Sequence, residues 1–88
     1  MNGRRSNIQI IAEILKLGED GASKTQIRNS IDLRHYQLQK YIGFLLAHGF
    51  IGRLAPENCR FTYRLTEKGS MLLKSINNVL EALGFEDK

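Results

Sequence analysis

The chain has 88 residues, a formal net charge of +4 and a pI near 9.5, with 42% hydrophobic and 25% charged residues. That describes one domain (1–88) with a single core and the ordinary composition of a soluble globular fold, and the basic balance favours an anionic partner without naming one. No apolar run approaches the ~18 residues that span a bilayer, no cleavable leader is readable, and the single cysteine, Cys59, excludes an intrachain disulfide framework, so a cytoplasmic protein with no membrane partner is expected.

Ser6-Asn7-Ile8-Gln9 has the S-x-x-Q pattern of a capping box, which predicts a first helix from about Asn7 to Leu17. Ile8, Ile11, Ala12 and Leu15 form its expected core face, while Ile10, Ile14 and Leu17 lie nearly opposite. A helix that is apolar on both sides is normally buried on both sides, so the second face is expected to meet a partner subunit. Gly18-Glu19-Asp20-Gly21 is a turn by composition. Ser23 with Gln26 makes a second capping box and opens a short helix, about Lys24 to Ser30, that buries Ile27 and Ile31.

After Asp32 and Leu33 a longer helix is predicted from about Arg34 to His48. At about 100° per residue, Leu38, Tyr41, Ile42, Leu45 and Leu46 share one face. Tyr36, Lys40, Gly43 and Ala47 share the opposite one, flanked by Gln37 and Gln39, and Gly49 is the left-handed residue that ends the helix. A short helix, a tight turn and a longer helix with a polar outer stripe is helix-turn-helix geometry.

Beyond Gly49 the periodicity changes from 3.6 to 2. Phe50 to Leu54 reads as a strand, Ala55 to Asn58 as a turn, and Cys59 to Leu65 as the returning strand. In the second strand Cys59, Phe61, Tyr63 and Leu65 alternate with Arg60, Thr62 and Arg64, giving one half-buried and one wet face. A two-stranded ribbon is not stable alone, so this hairpin is read as a wing leaning on the helices. Thr66 caps a last helix, about 67–83, whose expected apolar stripe is Leu72, Ile76, Val79, Leu80 and Leu83, with Gly84 as its stop.

The order helix, helix, helix, hairpin, helix resembles the small winged helix-turn-helix DNA-binding proteins typical of archaea and their viruses. The resemblance is carried by Lys24-Thr25-Gln26-Ile27, Leu33 with Gln37-Leu38 and Lys40-Tyr41-Ile42, Leu45-Leu46 with Gly49-Phe50-Ile51, and Tyr63-Arg64-Leu65-Thr66-Glu67-Lys68-Gly69. It covers nearly the whole chain after the first helix, and its specificity lies in the order and spacing of the four runs. It implies a mainly α fold with a small β-hairpin and a C-terminal helix, binding double-stranded DNA as a homodimer in transcriptional control. Two departures stand out. Arg34 occupies a place where relatives often carry a serine cap, and a last helix of about 17 residues, some 25 Å long, leaves dimerisation to a compact surface.

Duplex DNA offers a line of phosphates and a major groove that admits one helix. Tyr36, Gln37, Gln39 and Lys40 lie on or near the outward face of the third helix, and Arg34 and His35 lie at its N-terminal end, which usually meets the bases. Glutamine can read adenine, arginine can read guanine, and Lys40 suits a phosphate. Lys24, Thr25 and Arg28 on the second helix suit the flanking backbone, as do Arg4 and Arg5. Arg53, Arg60 and Arg64 decorate the hairpin, Arg60 nearest its turn. The plain alternative is that these are solvated side chains on faces that must be polar, or arginines that keep an edge strand soluble. A subunit interface is expected from Ile10, Ile14 and Leu17 against Met71, Asn78, Ala82 and Phe85 across a two-fold axis.

Cys59, His35 and His48 lack metal-ligand spacing, and no nucleophile with its base, acid pair or phosphate-cradling glycine loop is visible, so neither a metal, a cofactor nor an enzyme activity is expected. Three functions compete: a sequence-specific regulator, an architectural nucleoid protein with little sequence preference, and a winged helix used for protein contact. Phe44, apolar near the outward face, argues for the last.

Overall fold

The computed structural model describes residues 7–54 and 62–84. Three of its helices start or stop at a specific hydrogen bond, and the first stops at a close contact. The first, α1 (Asn7–Gly18), ends against the sheet, where a Cβ on Gly18 would stand 3.2 Å from the Leu65 backbone nitrogen. A two-residue strand, β1 (Ala22–Ser23), leads into α2 (Lys24–Ser30). The capping box at that start is complete: Gln26 N–H donates to Ser23 Oγ at 3.1 Å, and Ser23 N–H donates to Gln26 Oε1 at 2.9 Å.

The longer helix α3 (His35–Ala47) is held at both ends. At its start only half a capping box forms: Arg34 N–H donates to Gln37 Oε1 at 3.2 Å. An arginine side chain has no acceptor, so it cannot return the favour a serine would. At the other end Gly49, at φ 76°, donates to Leu46 O at 3.1 Å and Phe50 donates to Leu45 O at 2.9 Å. This is the Schellman arrangement, which needs a residue at home in left-handed backbone.

Strands β2 (Ile51–Leu54) and β3 (Thr62–Leu65) follow, then α4 (Glu67–Leu83). The sheet has three strands in the order β1-β3-β2, all pairs antiparallel, with Tyr63 between Ala22 on one side and Arg53 on the other. The two-stranded wing of the sequence reading thus gains a third strand, from a stretch of two residues too short to show any alternation. The turn expected at Ala55 to Asn58 and the residues Cys59, Arg60 and Phe61 lie outside the described residues.

Side chains from every helix and from all three strands meet in one core. Ile14, Leu15, Ile27, Ile31, Leu38 and Leu45 are its fully buried members, joined by Ile10, Ala12, Ala22, Ile42, Ile51, Tyr63, Leu73 and Ile76. Among the described residues no polar or charged residue is buried. The helix-turn-helix is anchored through its inner residues: Ile27 from α2, Ile31 from the turn, and Leu38, Ile42 and Leu45 from α3.

On α1 and α4 the buried faces differ from those the sequence pattern predicts. Ile10 and Ile14 were expected to face a partner subunit, yet they are 8% and 1% exposed within this one chain, while Ile8, placed in the core by the sequence, is 46% exposed. The reason is that α1 packs against both α4 and β3, so its two apolar sides are covered by its own fold. Leu17 is half-buried, its covered part packed against the same core. In α4 the buried line is Gly69, Leu73 and Ile76 with Leu80 partly covered, whereas Val79 and Leu83, expected inside, are exposed. Gly69 sets that rotation, because it lies in contact with the Phe50 carbonyl oxygen, where no side chain fits.

Candidate nucleic-acid interface

A helix can enter a groove only if its inner side is held and its outer side is bare. On α3 the inner side is Leu38, Ile42 and Leu45, buried, with Tyr41 and Leu46 half-buried beside them. Tyr41 is further tied down by its hydroxyl, which donates to Asn7 Oδ1 at 2.6 Å and so pins α3 to the start of α1. The outer side is bare throughout: Arg34, His35, Tyr36, Gln39, Lys40, Gly43 and Ala47 are all exposed, and Tyr36 is 62% exposed. Small residues at Gly43 and Ala47 keep the far half of that side low, which lets a rod lie close to a curved surface. A Cβ on Gly43 would meet nothing within 4 Å.

The two glutamines differ in what they have left to offer. Gln37 is half-buried, and its Oε1 accepts the Arg34 backbone N–H, so it serves the helix start while its amide hydrogens stay open to a ligand. The side-chain nitrogen of Gln39, exposed, lies 3.0 Å from His35 Nε2 one turn earlier. Neither pairing is legible from spacing alone, since glutamine at those positions has several rotamers that reach only water.

On α2, Thr25 and Arg28 are exposed and Lys24 is half-buried. On the sheet, Arg53 and Arg64 are exposed. The Arg64 side chain lies over the turn before β1, its Nη1 3.7 Å from the place a Cβ on Gly21 would take. Arg4, Arg5 and Arg60 lie outside the described residues. The exposed residues named on α2, α3 and β2 therefore supply the cations Arg28, Arg34, Lys40 and Arg53, with no aspartate or glutamate anywhere in α2 or α3. Such a surface suits a polyanion.

An exposed aromatic group lies on a flank of α3. Phe44 is 47% exposed and meets His48 edge-on with ring centroids 4.3 Å apart; His48 in turn lies 6.0 Å from Phe50, over which Lys68 Nζ sits at 5.2 Å. Phe44 is thus partly occupied by its own neighbours. Among the described residues no group of three histidine, cysteine, aspartate or glutamate side chains converges as a metal site would, and no helix is long and apolar enough to cross a membrane.

For the proposed subunit contact, the remaining described members are Met71, Asn78 and Ala82, all exposed on α4, with Met71 at 68%. Val79 and Leu83, at 48% and 63% exposed, extend the same apolar strip and were not assigned to it from sequence. Phe85 lies outside the described residues.

Comparison with known proteins agrees with this layout. A family profile described as winged helix-turn-helix matches residues 4–83. The chain is 32% identical over 81 residues to the uncharacterized protein MJ0287 of Methanocaldococcus jannaschii, covering 91% of this chain and 78% of that one. It is 35% identical over 86 residues to MJ0290 of the same organism, where 97% of this chain spans only 38% of the relative. Among solved structures it is similar to Sso10a-2, a DNA-binding protein from Sulfolobus solfataricus, with a TM-score of 0.83 and 26% identity over 91% of this chain and 83% of that one. It is also similar in fold to the transcriptional regulator BldR from Sulfolobus solfataricus, with a TM-score of 0.78 and 23% identity over 85% of this chain and 56% of the other.

Proposed function

The chain belongs to the winged helix-turn-helix family, and from that premise we propose that it is a homodimeric DNA-binding regulator of transcription. The observation that carries the reading is α3: its apolar side is locked in the core and its polar, cationic side is bare along the whole helix. In this reading α3 lies in the major groove, with Arg34, His35, Tyr36, Gln39 and Lys40 toward the DNA. Gln37 donates from its amide, while Lys24, Thr25 and Arg28 flank the backbone, and Arg53 on β2 reaches the phosphates beside the groove; Arg60 is proposed for the same role from its place in the sequence alone. Two copies paired through the outer strip of α4 would set two such helices into grooves about 34 Å apart. The likeness to a DNA-binding protein and to a transcriptional regulator supports the reading.

Titration of a fluorescent random-sequence duplex across a salt series tests it. Binding should weaken steeply as salt rises; Lys40→Ala, losing a phosphate contact, should flatten the slope of log K against log salt by about 1, and Arg34→Ala should weaken binding and relax base choice. Absence of binding at low salt would refute DNA recognition outright. An architectural role would appear as the same salt slope with no sequence discrimination.

A further inference from the structure

We propose that His35 is a positioning residue that turns the Gln39 amide into a reader of adenine, an inference that rests on α3 being the helix in the groove. Both side chains are exposed on α3, one turn apart, and the Gln39 side-chain nitrogen stands 3.0 Å from His35 Nε2. In this orientation the amide nitrogen donates to Nε2, an arrangement that pairs with the imidazole tautomer carrying its hydrogen on Nδ1. Only one of the two amide hydrogens is used in this contact. The other hydrogen and Oε1 remain together as a donor and an acceptor on the free edge of the amide. That pair matches adenine in the major groove, where N7 accepts and the N6 amino group donates.

Gln37 is worse placed for this role, because it is half-buried and its Oε1 is already turned inward to accept the Arg34 backbone N–H. His35 supplies what an isolated exposed glutamine lacks. Held at Nε2, the amide has one face to show and loses little rotamer freedom on meeting the base. The opposite arrangement, His35 Nε2–H donating to a turned Gln39 Oε1, would present the amide hydrogens outward and favour guanine, whose N7 and O6 both accept.

Selection of bound duplexes from a random pool separates these cases, with the full chain run as wild type, Gln39→Ala, His35→Ala and His35→Gln. The wild type should choose adenine at one position of each half-site by about tenfold or more over other bases. Both alanine variants should lose that choice at that position while the other positions of the motif persist. His35→Gln should restore it, since a carbonyl oxygen at residue 35 accepts the same amide hydrogen. Guanine at that position in the wild-type motif overturns the assignment, as do alanine variants whose motifs match the wild type, and both leave α3 as the reading helix. A wild type that retains no duplex overturns the major-groove reading itself.

Discussion

A methyl group added at Gly69 would fall inside contact distance of the Phe50 carbonyl oxygen and 2.9 Å from Leu65 Cδ1. The same carbonyl accepts the Thr66 N–H at 3.2 Å, and the Thr66 hydroxyl donates to Gly49 O at 2.6 Å while accepting from Gly69 N–H at 3.0 Å. One threonine and two glycines therefore join the end of α3 to the start of α4. Gly69→Ala should destabilise the domain by about 1–3 kcal/mol, because backbone and not a flexible side chain must give way. Urea denaturation followed by circular dichroism would measure it, and a midpoint equal to the wild type would mean the helix can shift at no cost. The residue scale is also where sequence reasoning ran out soonest. The capping residues Ser23 and Thr66 were readable because their hydrogen bonds are local and stereotyped. The different duties of Gln37 and Gln39 were not, because a side chain that can satisfy itself with water leaves no pattern behind.

Among the elements, α2 and α3 follow the sequence closely: their limits fall within one residue of expectation, and the buried members are those the 3.6-residue period picks out. Both ends of α2 have local causes, a capping box before it and the buried Ile31 after it. Ser23→Ala removes one of those causes and should cost about 1 kcal/mol, read as a lowered urea midpoint with an unchanged slope. The helices that departed from expectation are the outer ones. For α1, periodicity told which residues were apolar but not what would cover them, and α4 and β3 supplied the cover that had been credited to a second subunit. For α4, Leu72 and Leu73 are adjacent leucines, and the wheel alone gives either as the centre of the stripe. The close approach at Gly69 chose Leu73, which left Val79 and Leu83 outside.

Taken as a whole molecule, the chain separates stability from assembly. Ile14 is 1% exposed in the core, so Ile14→Ala should lower stability by about 2–5 kcal/mol through lost burial and an added cavity, measured by urea unfolding at fixed protein concentration. The outer side of α4 has the opposite character: Val79 and Leu83 are exposed enough to accept charge without entering the core. Val79→Glu with Leu83→Glu should leave the circular dichroism spectrum intact and, if the subunits pair there, give monomers in sedimentation. A dimer that survives both changes would move the subunit contact elsewhere.

The weld between α3 and α4 has a consequence for such a dimer. With Gly49, Phe50, Thr66 and Gly69 tied together, α3 and α4 are joined as two arms of one bracket. Tilting one α4 against the other would swing both outer arms with it, and the separation of the two half-sites becomes a ruler for the angle at which the subunits cross.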